Sequence, residues 1–245
     1  MKPYWFAFEP PIRYPYVFTH INNYKWLHRR LWKQAILDCG VEIFWRKTEY
    51  PPRFLDYYLH VAVQLAEIYG ERLWVTIPDY CDDHKHVPNN VEKTLRNIEK
   101  FIDVEGVSWL PVIQARYLDI FSFYESCEKT REIIGDYPRV AIGTVCKTRR
   151  LSFIVECCKI ARKFFPHSWI HAFGLTLHAL PKVAVYIDSF DSSAYTFPRK
   201  SGHSCKNMKE RIEYFHAYVR RIEEILGWRV GTRSPPPEAQ TRAGG

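Results

Sequence analysis

The feature that most constrains the fold is an alternation of short apolar runs with longer amphipathic stretches. The apolar runs predict strands over residues 4–8, 17–21, 35–39, 73–78, 110–114, 140–144, 169–174 and 183–189. The amphipathic stretches predict helices over 23–33, 53–69, 90–101, 117–133, 148–164 and 206–227. Because a helix between successive strands makes those strands parallel, the pattern predicts an α/β fold with a parallel sheet.

The number of predicted strands favours closure of this sheet into a single (β/α)8 barrel of the TIM type. The length of 245 residues suits one such domain, which we expect to cover residues 1–228. An open, doubly wound sheet fits the same periodicity, so the sequence does not decide between this sheet and the barrel. Helix 206–227 would follow the last strand as a C-terminal helix, and the Pro- and Gly-rich segment 229–245 predicts a disordered tail.

Composition narrows the class of protein further. The formal charge of +8, from 35 Lys and Arg against 27 Asp and Glu, favours a polyanionic partner such as nucleic acid. Every apolar run falls short of the ~18 residues of a membrane span, and the N-terminus does not resemble a signal peptide. We therefore expect a cytoplasmic protein with no membrane partner. Its seven cysteines include no C-x-x-C pair, which favours reduced thiols.

Polar residues and glycines occur where the predicted strands end: Asp38, Asp79, Gln114, Gly143, Gly174 and, near the end of the last strand, Asp188 and Asp191. In a parallel barrel, the C-terminal ends of the strands form the rim that carries the active site. One aspartate alone could simply cap a helix or a turn, and Asp188 best fits such a structural role. Asp38, Asp79 and Asp191 on one rim would repel one another, which is typical of a reaction site.

Several of these segments resemble the tRNA-guanine transglycosylase family. The stretch 171–200 contains HAFG followed by FDSSAY, which is similar to the signature of that family. LDCG at 37–40, TIPDY at 76–80, PVIQ at 111–114 and AIGT at 141–144 resemble further family elements in the same order. The resemblance covers roughly residues 35–200, and its most specific part is FDSSAY after HAFG.

The departures from the family pattern concern zinc and RNA. The C-x-C-x-x-C cluster of the structural zinc site is absent, and His203 with Cys205 supplies too few ligands to replace it. The RNA-binding domain of the archaeal members has no counterpart, and the family's D-S-G-G element has Cys39 and Val41 in place of its Ser and second Gly. The chain therefore resembles most the short, zinc-free 7-deazaguanine DNA transglycosylases, which favours DNA over tRNA as substrate.

The resemblance implies a base exchange in which guanine in a nucleic acid is replaced by a free 7-deazaguanine or guanine base. It implies that Asp191 is the nucleophile that forms a covalent intermediate with the sugar, and that Asp38 is the general acid and base. No metal ion and no cofactor is expected. A tRNA substrate, a catalytically inactive barrel that binds nucleic acid, and a nucleosidase that releases free base remain alternatives.

The remaining site residues follow from the same resemblance. Asp79 and Gln114 would bind the polar edge of the base, the backbone at Gly143 and Gly174 would complete the pocket, and Phe173 would stack on the base. Arg199 and Lys200 are the candidates for contacts with the nucleic-acid backbone, and Lys147, Arg149 and Arg150 are second choices. His171 is interpreted as a packed, hydrogen-bonded histidine, and His84 and His86 as loop residues.

Overall fold

The computed structural model describes residues 3–29, 31–40, 49–82, 87–196 and 205–227. These residues form one sheet of nine strands, in which every pairing is parallel. The strands are β1 Tyr4–Phe8, β2 Tyr16–His20, β3 Gln34–Asp38, β4 Leu73–Thr76, β5 Ser108–Leu110, β6 Val112–Ile113, β7 Arg139–Ile142, β8 Trp169–Ala172 and β9 Ser189–Ser192. Their order across the sheet is β5-β4-β3-β2-β1-β9-β8-β7-β6.

A single segment of chain brings the two ends of this sheet together. β5 and β6 lie at opposite ends of the order but are separated only by Pro111, which has no N–H to continue a ladder. On one side Ile77 N donates to Leu110 O at 3.0 Å, and on the other Ala141 N donates to Pro111 O at 2.8 Å. The sheet is therefore a nearly closed barrel, which confirms the predicted α/β fold of the TIM type over the open sheet.

Helices surround the barrel: α1 Phe54–Tyr69, α2 Asn90–Phe101, α3 Ile120–Ile134, α4 Leu151–Phe164, α5 Leu180–Val183 and α6 Met208–Leu226. Short 3-10 helices cover Ile21–Arg29, Gly70–Arg72, Thr144–Lys147 and Ala194–Thr196. Local chemistry sets the ends of α3, because Asp119 accepts a hydrogen bond from Ser122 N at its start. Gly135, at φ 58°, ends the same helix by donating to Arg131 O.

An aromatic layer fills part of the barrel interior below the C-terminal rim. Trp74 on β4 lies 5.8 Å from Trp169 on β8, between ring centroids, although these strands are not neighbours in the sheet. Phe6 on β1 lies 6.0 Å from Trp74 and 5.5 Å from the ring of His171. Contacts between strands so far apart in the sheet require the barrel interior. The layer thus forms a floor beneath the strand ends.

The C-terminal helix packs on the outside of the barrel. Phe215 of α6 lies 5.4 Å from Trp5 and 5.5 Å from Tyr14, between ring centroids, and is almost completely buried. Trp5 alternates with the inward-facing Tyr4 and Phe6 of β1, as period-2 strand geometry requires. Helix α6 therefore covers the outer face of β1, where the short connection to β2 provides no α-helix of its own.

Two predicted elements differ in the structure. The strand predicted over 183–189 is wrong: residues Leu180–Val183 form α5, and β9 begins only at Ser189. Pro181 stands in the first turn of α5, where proline favours a helix, and Val185 is 75% exposed, so the apolar run is not a buried strand. The helix predicted over 23–33 is a 3-10 helix, Ile21–Arg29.

The predicted tail over 229–245 lies outside the described residues. Among the helices of the described ranges, none combines the length and the apolar character needed to cross a membrane.

Candidate active site

A pocket of about 270 Å³ opens at the C-terminal ends of the strands. Its lining includes all seven of the predicted catalytic and base-binding residues: Asp38, Asp79, Gln114, Gly143, Phe173, Gly174 and Asp191. The volume is close to the lower limit of roughly 300 Å³ for small-molecule pockets. The structure thus brings together, in one cavity, residues that the sequence separates by as many as 153 positions.

Asp38 ends strand β3 and is held by hydrogen bonds to both of its carboxylate oxygens. Gly40 N donates to Oδ2 at 2.8 Å, and Thr76 Oγ1 donates to Oδ1 at 3.4 Å. Thr76 is itself fixed, because its Oγ1 accepts from Cys39 N at 2.9 Å. The carboxylate is 9% exposed as a residue, so it is positioned by the protein but still lines the pocket.

Asp79 and Gln114 form a buried pair beside Asp38. Gln114 Nε2 donates to Asp79 Oδ2, and Tyr50 OH donates to the backbone carbonyl of Asp79 at 2.5 Å. The other amide atom, Oε1 of Gln114, is buried and has no hydrogen-bond partner among the described residues. A buried acceptor without a partner is costly, so this oxygen is suited to a donor on a bound molecule.

Cys39 lies between the two carboxylates of this side of the pocket. Its Sγ donates to Asp79 Oδ1 at 3.5 Å, and burial raises the pKa of the thiol, as do the charges of Asp38 and Asp79. A protonated thiol is a poor nucleophile, so Cys39 is not suited to be the attacking group. The ligand atoms of Asp38, Cys39 and Asp79 lie within 4.8 Å of one another, but zinc ligation would require the thiolate.

Asp191 lies in β9, and its carboxylate is held by a different set of residues. Gly174 N donates to its Oδ1 at 2.9 Å, and His171 Nε2 lies 3.2 Å from the same oxygen. Gly174 has φ +56°, and a Cβ there would lie 2.7 Å from Cβ of Cys146. Only glycine therefore brings this backbone N–H to the carboxylate without strain.

His171 is the residue whose role sequence reasoning underestimated. The prediction that it is packed and hydrogen-bonded is confirmed, because its ring is fully buried and lies 4.8 Å from the ring of Phe173. The sequence interpretation did not include its contact with Asp191. Inward alternation was the available signal, since His171 on β8 and Phe173, directly after the strand, are two residues apart.

Gly143 lines the pocket and also makes room for Gln114. A Cβ at this position would lie 2.2 Å from Gln114 Nε2 and 2.8 Å from Val112 Cγ1. The missing side chain therefore leaves space for the Gln114 amide. The predicted approach of the Gly143 backbone to a ligand stays a prediction.

An aromatic wall from the first two strands completes the pocket and was not predicted. Phe8 and His20 are stacked at 5.7 Å between ring centroids, and Phe18 lies 5.9 Å from Phe173. All four rings line the cavity. The only sequence signal was the placement of aromatic residues at the ends of the first two predicted strands, which is equally typical of a barrel core.

Other predicted residues lie elsewhere. Asp188 is structural, as expected, because its Oδ2 accepts from Arg162 Nη2 at 2.5 Å and from Ile170 N at 2.9 Å. The predicted backbone contacts Arg199 and Lys200 lie outside the described residues, as do His84, His86 and His203. Of the second choices, Arg149 and Arg150 are exposed after β7, and the side chain of Lys147 is not described.

Comparison with known proteins gives little beyond the fold. No protein-family model matches the chain, and no curated protein matches its sequence. Among solved structures, the chain is similar to the carboxyl transferase domain of Rhizobium etli pyruvate carboxylase, in structures with 3-bromopyruvate and with pyruvate and biocytin. The match has a TM-score of 0.39 and 11% identity, and it covers 83% of this chain but only 37% of that one. Such a distant likeness carries no argument about activity.

Proposed function

We propose that this chain is a pentosyltransferase that exchanges guanine in a nucleic acid, DNA rather than tRNA, for a 7-deazaguanine base. The observation that carries the proposal is the common pocket of Asp38 and Asp191, which lie on different strands and line one cavity with the buried Asp79–Gln114 pair. The resemblance of FDSSAY and HAFG to the tRNA-guanine transglycosylases supports the reaction class. The sequence lacks the zinc-binding cysteines of the tRNA enzymes and in this respect resembles the short 7-deazaguanine DNA transglycosylases, which favours DNA over tRNA as the substrate.

In the first half of the reaction, Asp191 attacks C1′ of the target nucleotide. A C1′–oxygen bond forms to its carboxylate, the C1′–N9 bond breaks, and the electron pair of that bond leaves with guanine. Asp38 delivers a proton to the departing base. Hydrogen bonds from Gly174 N and His171 hold the carboxylate of Asp191, and a hydrogen bond from Gly40 N holds that of Asp38.

In the second half, the incoming base replaces the departed one in the pocket. Its N9 attacks C1′, the bond from C1′ to the Asp191 oxygen breaks, and the proton of N9 passes to Asp38. Two inversions at C1′ retain the configuration of the glycosidic bond. The cycle returns both carboxylates to their starting states and requires no oxidant and no metal.

The base would be recognised by hydrogen-bond acceptors and by aromatic side chains that line the pocket. The unpartnered Oε1 of Gln114 and the carboxylate of Asp79 would accept from the N–H groups of a guanine-like edge. Phe173 and the wall formed by Phe8, Phe18 and His20 offer ring faces and edges to a purine. A target base has to leave its stack to reach such a pocket, at a cost of a few kcal/mol.

Label exchange tests the proposal. The protein would be incubated with radiolabelled guanine and, separately, with duplex DNA, single-stranded DNA and unfractionated tRNA. Label in DNA is the expected result, together with a protein–DNA adduct that survives denaturing electrophoresis. The Asp191→Asn variant is the matched control and should give neither.

Other outcomes assign the alternatives. Label that enters only tRNA would overturn the DNA substrate and keep the reaction. Release of free guanine without incorporation would indicate a nucleosidase. If no polymer yields label, free base or adduct, the barrel is a binding module and the proposed function is wrong.

A further inference from the structure

A chain of hydrogen bonds leads from the edge of the barrel interior to the proposed nucleophile. Trp169 Nε1 donates to Ser189 Oγ at 2.7 Å, Ser189 Oγ lies 2.8 Å from His171 Nδ1, and His171 Nε2 lies 3.2 Å from Asp191 Oδ1. Trp169 is partly exposed, but Ser189 and His171 are fully buried. Water therefore cannot replace a missing partner at these two groups.

The donors and acceptors of this chain fit only one arrangement of protons. An indole N–H can only donate, so Ser189 Oγ accepts from Trp169. If His171 Nδ1 also donated to Ser189, the hydroxyl hydrogen would have no acceptor within the described part of the chain. If Ser189 instead donates to Nδ1, every hydrogen has a partner, and the proton of the neutral ring is on Nε2, which faces the carboxylate.

We propose that His171 is a positioning residue for Asp191, held by Trp169 and Ser189 as the neutral Nε2–H tautomer. This inference rests on the proposed function and deepens it by assigning separate roles to the two carboxylate oxygens. Oδ1 is anchored by Nε2–H of His171 and by N–H of Gly174. Oδ2, which accepts no hydrogen bond from the described residues, is the oxygen that attacks C1′.

Aromatic packing strengthens the orientation of the imidazole. The ring of His171 meets Phe6 edge-on at 5.5 Å and Phe173 edge-on at 4.8 Å, between centroids. These contacts prevent the ring from turning away from Asp191. A hydrogen bond to Oδ1 also persists when Oδ2 becomes part of the ester, because Oδ1 is then the carbonyl oxygen. His171 would thus hold the carboxylate in the same orientation in both halves of the reaction.

The tautomer can be measured without any substrate. In protein labelled with ¹⁵N at histidine, long-range ¹⁵N–¹H spectra distinguish a neutral ring protonated at Nε2 from one protonated at Nδ1 and from the imidazolium. The spectrum of the wild-type protein should show Nε2–H for His171, assigned by its loss in His171→Gln. The Ser189→Ala variant should lose this preference. Ser168→Ala is the matched control, since Ser168 is also buried but donates to Tyr137 O.

Kinetics then test the link to Asp191. Removing an orienting partner behind a reacting group typically costs about 10- to 100-fold, so Ser189→Ala and His171→Leu should lower kcat by this factor with KM unchanged. His171→Gln keeps a side-chain N–H donor and should recover part of the rate. The thermal unfolding temperature of each variant separates this effect from a loss of folded protein.

The outcomes for the two proposals are separable. A wild-type spectrum with Nδ1–H or imidazolium for His171 would overturn the inference, whatever the activity. So would a kcat of Ser189→Ala equal to that of Ser168→Ala, or equal losses in His171→Leu and His171→Gln. If the wild-type protein transfers no base at all, the proposed function fails, while the tautomer assignment is still decided by the spectrum.

Discussion

Asp191 and Asp38 line one pocket and each accepts a backbone N–H, but their other neighbours differ. On the nucleophile side, formed by Asp191, His171 and Gly174, the carboxylate receives hydrogen bonds from neutral donors. On the acid side, formed by Asp38, Cys39 and Asp79, each carboxylate lies close to a second acid and to a thiol whose pKa is raised. Both carboxylates accept hydrogen bonds, and Asp38 in addition has a second acid and a thiol beside it.

The difference teaches how one barrel rim can position two aspartates by separate pairs of strands. The nucleophile side is built on the adjacent strands β8 and β9, and the acid side on the adjacent strands β3 and β4. Each pair of strands and the loops that follow it supply their own hydrogen bonds, so the two carboxylates are held by separate sets of partners. Separate environments for two carboxylates are the usual way to assign acid and nucleophile roles in one site.

The largest expected effect on the exchange reaction comes from the substitution Asp191→Asn. The amide has nearly the same shape but cannot form the ester, so we expect exchange to fall at least about 10⁴-fold, with no adduct on a denaturing gel. Asp188→Asn is the matched control, because Asp188 pairs with Arg162 and not with the pocket. It should lower the unfolding temperature and keep the exchange. Adduct formation by Asp191→Asn would contradict the assignment of the nucleophile.

Asp38→Asn should have the second-largest effect. General acid and base catalysis contributes about 10²- to 10⁴-fold, so kcat/KM should fall within this range while some exchange remains. A variant that exchanges the base as fast as the wild-type protein would show that Asp38 is not the proton donor.

Gly143→Ala tests the recognition of the base with a smaller effect. The new Cβ would lie 2.2 Å from Nε2 of Gln114, so the amide has to move away from Asp79. Loss of a buried hydrogen bond costs roughly 1–3 kcal/mol, which predicts an increase of about 5- to 150-fold in KM for the free base. Gln114→Leu should raise KM similarly, and the double variant should be no worse than either. Additive effects would show that Gly143 acts independently of Gln114.

The sequence predicted the barrel and the pocket better than it predicted how the pocket is built. Strand ends are local features, and the polar residues there, such as Asp38 and Gln114, stand out against apolar runs. The bond from His171 to Asp191 joins residues 20 positions apart and depends on the register of β8 with β9. That register could not be predicted because the apolar run after Pro181 imitates a strand, whereas part of it is helical and Val185 is exposed.

The smallest expected effect concerns the free energy of unfolding at alkaline pH, which should respond to a change on the acid side of the pocket but not to a change on the nucleophile side. Burial and the charges of Asp38 and Asp79 raise the pKa of Cys39 well above 9.0, its ordinary value, so the thiol ionises earlier in the unfolded chain than in the folded protein. Because the pKa of Cys39 is higher in the folded protein than in the unfolded chain, the thiol contributes its full stabilisation of the folded protein below the pKa of the unfolded chain. This contribution is lost as the pH rises above about 9. Each such group lowers the free energy of unfolding by about 1.4 kcal/mol per pH unit there.

Cys39→Ala should therefore reduce the alkaline slope of the free energy of unfolding by about one such increment, as measured by urea denaturation at several pH values above 9. Comparing slopes removes the constant cost of the lost sulfur. His171→Leu changes the nucleophile side without removing a thiol, so its slope should equal that of the wild-type protein. If Cys39→Ala and His171→Leu give equal slopes, Cys39 does not remain protonated in the folded protein, and the acid side loses the feature that distinguishes it from the nucleophile side.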